Sequence, residues 1–597
     1  MNNQSPAQAI QTAFDYQRSG RLQEAEELFR QVLSQNPGDQ QALNGLGTIA
    51  LHTGRTAEAA NLFSRAVSIN PQELGIQMNL GTALLKLGRL QDAGRVYSQV
   101  ISLKPDFAEA HTNLGVVLAD AGRLEEAAAA HRRAIQLKPQ FGMSYQNLGT
   151  VLREMGKHQE AVDVLRRGLA IEPGRVELYS RLGIVYTEMG SSDRARYQDA
   201  IDTFKRGLSL EPNHPYLLTN LGVASARLGH VHEAVALHRR ALELYPNFPL
   251  ALMNLGVALH NLGQFEEAKE CYRHAAALDP NDIATHTNLA FVKLVLGDWE
   301  GGLRDSEKRL ENLQQYRRTW EAPRWDGSDP KGKTIVIAAE QGIGDTINFV
   351  RYASLLADRG AKVIVETQES LVSLLRRVPG VSDAVPQFSQ LPKYDAYIPI
   401  PSLPFAFGTT PQNVPANIPY ITPDSDRARK WKDRLAQSGP EFKVGLVWGG
   451  SPNNRADVYR SVLLAELAPL AQVQGVRFIS LQKGRQASQL LSPPPGMQIT
   501  DMGAELETFE DTAALIANLD LLIAVDTSIV HLAGAMGRPV WTLIAFSPDW
   551  RWLLNRSDTP WYPTMRLFRQ PSFGDWSSVM QTVASELGAT VSQHAAK

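Results

Sequence analysis

The sequence predicts an all-α helical-repeat array followed by an α/β pair of parallel-sheet lobes. Three observations carry this. Pro37, Pro71, Pro105, Pro139 and Pro173 fall 34 residues apart and, after one longer step, resume at Pro212, Pro246 and Pro280. Past Lys331 short β-branched runs alternate with helical ones, the pattern of a parallel sheet covered on both faces. The segment Leu403–Asp426, with six prolines or glycines, separates two such alternations and reads as a connection between lobes.

Composition bounds the class. A chain of 597 residues is long enough for about three to six domains. With 43% hydrophobic and 20% charged residues it is globular in composition. Its 60 basic and 62 acidic side chains give a net charge of −2, which argues against a nucleic-acid partner. The lone Cys271 forbids an internal disulfide and a multi-cysteine metal site. The start, MNNQSPAQ, has no basic region followed by an apolar run, so no signal peptide is expected. The longest apolar stretch, LDLLIAVDTSIVHLAGA, is interrupted by Asp520, Asp526 and His531, so no integral membrane segment is expected. Together these point to a cytoplasmic protein.

In the repeat region, Gly20, Gly54, Gly88, Gly122, Gly156, Gly190, Gly229, Gly263 and Gly297 keep the beat of the prolines. A second set, Gly47, Gly81, Gly115, Gly149, Gly183, Gly222 and Gly256, sits seven residues before most of them. The order L-G, then G, then E-A, then P resembles the tetratricopeptide repeat, about nine times over residues 7–310. In the repeat Ala108–Phe141, Gly115 is expected to let the first helix approach its partner, and Gly122 to end that helix. Ala127 and Ala134 keep the second helix thin, and Pro139 stops it. Five extra residues between Gly190 and Ala200 lengthen the inter-helix turn or the start of the second helix. The ninth repeat, from Ile283, has Ala290 in place of glycine and fades after Leu310, as a capping repeat does.

The resemblance implies a superhelix with a concave inner face. Asn79, Asn113, Asn147, Asn220, Asn254 and Asn288 each precede the Leu of the L-G or L-A pair; Gly45 and Arg181 interrupt the series. An amide donates and accepts, so such a ladder can hold an extended peptide backbone without reading its sequence. The alternative is that the asparagines satisfy neighbouring helices. The series resembles that of protein O-GlcNAc transferases. Repeat arrays also self-associate, so a homo-oligomer is compatible with the sequence.

In the α/β half, KTIVIAA, AKVIVET, FKVGLVWGG, VRFISLQ, DLLIAVD and PVWTLIA read as strands. NFVRYASLLADRG, QESLVSLLRRV, DTAALIANL and SIVHLAGAMG read as helices. The organisation expected is a repeat superhelix over 1–310, a linker over 311–330, a first Rossmann-like lobe with its connection over 331–428, and a second Rossmann-like lobe with a helical tail over 429–597. Two Rossmann-like lobes place a ligand cleft at the C-terminal ends of their strands.

Two motifs in this half, Glu340-Gln341-Gly342-Ile343-Gly344-Asp345 and VDTSIVHLAGAMGRPV, are similar to glycosyltransferase family nine, the ADP-heptose:lipopolysaccharide heptosyltransferase type, over about residues 331–570. PDWRWLLNRSDTPWYPTMRLFRQ resembles bacterial fusions of tetratricopeptide repeats to that domain. The resemblance implies a GT-B pair of lobes, a nucleotide-sugar donor, no metal and no further cofactor. It also implies Asp345 as general base; the residue's own position fits an N-cap as well. Gly342 and Gly344 would permit tight turning and close substrate approach. Asp526-Thr527-Ser528 ends a strand and starts a helix, a place that binds phosphate through backbone amides. An Asp repels phosphate, so Asp526 suits a sugar or acceptor contact. His531, one turn on, is a donor ligand or a packed helix histidine. Trp448, Gly449 and Ser451 form a small-residue loop that the resemblance puts on the donor side, Arg460 fits a family position that supplies a cation to the diphosphate, and Gln482 and Lys483 lie where a base or ribose would be read, with a solvated surface charge as the equal alternative for Lys483. Related fusion proteins often have His in this loop where this chain has Asn454, a departure that weakens any role for the loop's middle. Asp424-Ser425-Asp426 reads as a solvated turn rather than a metal motif.

The expected function is therefore an inverting glycosyltransferase with a protein or peptide acceptor held by the repeats. One alternative is a lipopolysaccharide or cell-surface glycan acceptor, with the repeats docking a partner. Another is an interaction protein that binds a nucleotide sugar without turnover.

Overall fold

A computed structural model of the protein describes residues 5–316, 318–340, 342–436, 441–450 and 457–596. The chain divides into two compact units, Met1–Glu233 and Ala234–Lys597. Among the described residues, nine helix pairs precede the first strand. No helix among them is long and apolar enough to cross a membrane.

In the first unit each pair follows the pattern of Gln40–His52 with Thr56–Ile69. The turn glycines Gly20, Gly54, Gly88, Gly122 and Gly156 have φ between 71° and 80°, a conformation that costs an L side chain about 1–2 kcal/mol. The other glycine set does a different job. A Cβ on Gly47 would lie 2.7 Å from the ring of Phe63, on Gly81 2.6 Å from Tyr97, and on Gly183 2.3 Å from Phe204. Each is a socket for a ring from the second helix; at Gly115 the ring is His131. Ala127 and Ala134 are fully buried, as their spacing predicts.

The insertion lengthens both elements that it touches. Gly190 has φ −58°, not the positive value of the other turn glycines, and the helix Val176–Met189 runs into it. The following helix, Ala195–Leu210, has 16 residues where that of the preceding repeat has 14. Tyr197 packs over Gly190.

In the second unit the repeats continue through Pro249–Asn261, Phe265–Leu278 and Ile283–Val295. The last helix, Trp299–Ser306, is only 8 residues long and passes into a 3-10 segment, Glu307–Tyr316. Trp299 is buried against Trp550 and Trp561, with ring centroids 5.0 and 5.8 Å away, so this capping repeat buries its end on the α/β half. The stretch read as a linker is anchored. Trp325 donates its N–H to Tyr397 O at 2.7 Å, and Trp320 stacks on Tyr397 at 4.1 Å.

Two fully parallel sheets follow. The first holds β1 (Thr334–Ala338), β2 (Lys362–Thr367), β3 (Val381–Pro386) and β4 (Ala396–Pro399) in the order β3-β2-β1-β4. The second holds β5 (Phe442–Val447), β6 (Val476–Ser480), β7 (Ile499–Asp501), β8 (Leu521–Val525), β9 (Val540–Ile544) and β10 (Met565–Arg569) in the order β10-β9-β8-β5-β6-β7. This is the doubly wound arrangement, with switch points beside β1 and between β5 and β8. The sequence pattern missed β3, β4, β7 and β10.

NFVRYASLLADRG is not one helix. It breaks at Val350–Arg351 into Ile343–Phe349 and Tyr352–Asp358. The break lets Arg351, 3% exposed, reach Pro415 O, Trp561 O and the Tyr420 hydroxyl at 3.0, 2.8 and 2.9 Å. The Pro-rich connection is held as well: Tyr420 N–H bonds to Ala535 O at 3.0 Å. Asp424 caps the helix Ser425–Ala436 through Arg427 N–H at 2.8 Å, and Asp426 pairs with Arg429. The D-x-D is thus a helix start rather than a turn, and it is solvated as expected.

Candidate active site

The switch points bring three expected groups together. After β1, Asp345 sits within the first turn of the helix Ile343–Phe349, whose N-cap is Gly342. Asp345 is therefore not the N-cap. Its carboxylate faces the second lobe and forms an ion pair with Arg551. Arg551 also bonds Asp549 Oδ1 at 2.9 Å and lies against the rings of Phe349 and Trp550, 4.8 and 4.9 Å from their centroids.

The Asp345 side chain keeps 40% of its surface open. The protein crowded around it raises its carboxyl above the usual range, Arg551 pulls it back, and Asp549 adds to the rise. Water that reaches the carboxylate tempers all three effects. Burial opposes the charge of Arg551, but Asp549 and Asp345 outweigh it and hold the guanidinium charged.

Gly342 and Gly344 have a steric role rather than a conformational one. A Cβ on Gly342 would lie 2.4 Å from the Asp345 carboxylate. One on Gly344 would meet His531 at 3.0 Å and Ser528 Cα at 3.7 Å. Gly344 thus brings the two lobes' switch-point helices together, which corrects the expectation that it faces substrate.

After β8, Thr527 caps the helix Ser528–Ala535, its hydroxyl accepting Ile529 N–H at 3.4 Å. Asp526 stands just before it. Burial, reinforced by Asp549, pushes its carboxyl up to about 6, against the Trp552 indole and the more distant Arg460 and Arg551. The Trp552 Nε1 itself has no hydrogen bond of good geometry. Arg460 bonds Asp457 Oδ1 at 3.2 Å.

Arg460, Asp526 and Asp549 share a cavity of about 240 Å³ with His260, Asn261 and Phe291 of the last two repeats. A Cβ on Gly263 would lie 2.9 Å from Phe546, which shows how closely the repeat turn sits on the loop after β9.

Five other expected residues do different work. His531 is 6% exposed, bonds Tyr562 OH through Nδ1 at 3.0 Å and stacks on Trp552, so it is a packed helix histidine. Burial holds its pKa well below the usual value. Trp448 is fully buried in the second lobe's core. Gln482 Oε1 accepts Trp448 and Gly449 N–H at 3.0 and 2.9 Å, and Nε2 donates to Gly449 O and Lys483 O, each at 3.0 Å. Its amide is fully occupied in shaping the loop after β5 and reads no base. Lys483 is tied to Leu506 O. Gly449 lies against Gln486. Ser451 and Asn454 lie outside the described residues, as does Gln341.

The motif's Glu340 also has a structural partner. Arg309, at the end of the repeats, bonds Glu340 at 3.0 Å, Glu307 at 2.8 Å and Ser402 Oγ at 2.7 Å.

The asparagine series occupies the first helix of its repeats, and all six side chains are half-buried. Asn79, Asn113, Asn147 and Asn220 belong to the first unit, Asn254 and Asn288 to the second. Asn79 Nδ2 donates to Asn44 Oδ1 at 3.1 Å, so this step does stabilise the stack.

Sequence reasoning missed Arg551, Asp549 and the repeat residues of the cavity. Arg551 lies in the quoted Pro-Asp-Trp-Arg-Trp run, where a cation flanked by two indoles was the available signal. At the Asn261 position the five repeats just before it carry Lys86, Asp120, Glu154, Glu188 and Arg227; the loss of charge after that run was the signal there.

Comparisons with known proteins agree with this layout. Residues 460–567 match glycosyltransferase family 9 (heptosyltransferase). Residues 191–247 and 249–282 match tetratricopeptide repeats, and residues 5–198 match the C-terminal domain of cilia and flagella-associated protein 70. The family 9 match takes in Arg460, Asp526 and Arg551 and leaves out Asp345. Protein FlbA of Caulobacter vibrioides is 27% identical over 366 residues, covering 50% of this chain. The chain spans 60% of the length of that curated relative. Among solved structures, a tetratricopeptide repeat protein from Parabacteroides merdae is 17% identical, covers 42% of this chain and 98% of its own, and has a TM-score of 0.37. TTC0263, a thermophilic repeat protein of Thermus thermophilus, is 22% identical over 31% of this chain and 99% of its own, with a TM-score of 0.29.

Proposed function

Because the chain carries tetratricopeptide repeats ahead of a glycosyltransferase family 9 region, we propose that it is an inverting GT-B glycosyltransferase. In this reading it moves a sugar from a nucleotide-sugar donor to a polypeptide held by the repeats. The observation that supports this best is the meeting of Asp345 with the Arg551, Asp549 and Asp526 group across two doubly wound switch points.

The donor diphosphate lies against the amides that open the helix Ser528–Ala535, with Arg460 as its cation. Asp345 takes the proton of the acceptor hydroxyl. That oxygen attacks the anomeric carbon from the face opposite the diphosphate. The sugar–phosphate bond breaks, and the nucleoside diphosphate leaves with the electron pair. Arg551 keeps Asp345 ionised and aimed. The half-buried asparagines Asn79, Asn113, Asn147, Asn220, Asn254 and Asn288 hold acceptor backbone. The Asn79–Asn44 bond favours a second reading, in which the repeats dock a partner and the acceptor is a glycan.

The test is the melting temperature of the protein with a panel of nucleotides and nucleotide sugars. A ligand at 100 times its dissociation constant adds about 2.7 kcal/mol. A shift with one nucleotide class that is lost in Arg460→Ala supports the donor site. No shift with any of them contradicts the transferase reading.

A further inference from the structure

We infer that the last two repeats read the donor's sugar: His260, Asn261 and Phe291 form the wall of the pocket that receives it. This rests on the donor reading above and goes beyond it, because it places sugar specificity in the repeats.

The argument begins with the cavity's composition. One side is Asp526 at the end of β8 and Asp549 after β9; the other is His260 and Asn261, which end a repeat helix, and Phe291 from the next repeat. Its volume, about 240 Å³, is below the 300–1,000 Å³ of pockets that hold drug-sized ligands, so it suits one monosaccharide rather than a whole nucleotide.

Charge narrows the occupant further. Two carboxylates repel a phosphate, but each accepts hydrogen bonds from hydroxyls. Arg460 stands beside them as the cation for the diphosphate. The cavity wall therefore passes from a phosphate-suited residue to hydroxyl-suited ones.

Two polar atoms of the lining strengthen the case. Gln570 is 5% exposed, and its Nε2 has no hydrogen-bond partner, nor has Ser547 Oγ. Buried polar groups are rarely left unmatched, and those at a cavity wall point to a polar occupant.

The repeat side chains are fixed in place. The His260 ring lies 5.4 Å from Phe265 and 5.2 Å from Phe291, which orients both Phe291 and the imidazole. Burial holds the His260 pKa down to about 4, although Asp549 opposes this. A neutral imidazole offers one donor and one acceptor, and the Asn261 amide offers both as well. That chemistry distinguishes the hydroxyl configurations of otherwise similar sugars.

The experiment compares UDP with UDP-N-acetylglucosamine, GDP with GDP-mannose, and ADP with ADP-heptose, by calorimetry on the full chain. The pair that binds is then measured on Asn261→Ala, His260→Ala and Phe291→Leu. The expected result is unchanged affinity for the nucleoside diphosphate and a loss of about tenfold in the additional affinity that the sugar confers. Unchanged diphosphate binding shows that each variant is folded. Sugar affinity unaffected in all three variants overturns the inference while leaving the donor reading intact. No binding of any of the six to the wild type overturns both.

Discussion

Asp345 and Arg551, 206 residues apart in the chain, form an ion pair that joins the first lobe's switch point to the second. The only other acidic group bonded to Arg551 among the described residues is Asp549. A buried arginine is thus shared by a proposed base and a cavity-lining carboxylate, so occupation of the cavity and the state of the base are electrostatically linked.

The first prediction concerns this pair. The groups that act on Asp345 are Arg551 and Arg309, which lower its pKa, and Asp549, which raises it along with burial. Arg551→Met removes the largest opposing charge, so the Asp345 pKa rises. A general base works deprotonated, so the acid limb of the kcat/KM profile moves to higher pH. Arg551→Lys moves it less. A purely structural role for Arg551 lowers the amplitude and leaves the limb in place.

Asp526→Asn tests the raised carboxyl after β8. Its pKa is about 6 in the folded protein and about 3.9 unfolded. A carboxyl raised on folding costs nothing below the unfolded value; its cost grows as pH rises from the unfolded value to the folded one and is constant above it. The Asn variant is therefore more stable than wild type at pH 7.5, on the order of 2 kcal/mol, and the difference closes toward pH 4. Urea unfolding at the two pH values reads it. An equal difference at both contradicts the assignment.

Gln482→Ala removes an amide that serves four backbone groups. Two buried N–H donors are then left unmatched, and stability falls by about 3 kcal/mol. Conversely, Lys483→Ala leaves those four bonds in place and costs less. Denaturant midpoints rank the two.

The two glycine sets of the repeats predict different responses. Gly183→Ala drives a methyl into the Phe204 ring and costs about 1–3 kcal/mol through overpacking. At Gly54, with φ +79° and open space around it, alanine costs about 1–2 kcal/mol through backbone strain alone. Adding Phe204→Leu relieves only the first, a coupling that a double-mutant cycle measures.

Much of this was legible in the residues, and the rest was hidden for physical reasons. The 34-residue beat marked the repeats because these glycines meet a local demand, a left-handed turn or a socket for a side chain of the second helix. The strands β1, β2, β5, β6, β8 and β9 were visible because they are buried on both faces and read as apolar runs. β3 was missed because it is only half-buried: VSDAVP carries Ser382 and Asp383. β7 has three residues, too few for a pattern. Asp345, Arg460 and Asp526 lie at strand or helix ends, where motif and position coincide. Trp448 and Gln482 look like donor contacts in the sequence because it shows neighbours along the chain, not which way a side chain points. Arg551, His260 and Asn261 were invisible as a group because only the fold brings residues 260, 345, 526 and 551 together.

The measurement that tests the central claim most directly is Asp345→Asn, with donor affinity and turnover read on the same preparation. The account predicts donor binding within about twofold of wild type and turnover reduced by about 10²–10⁴. Turnover that survives the substitution, with binding intact, contradicts it.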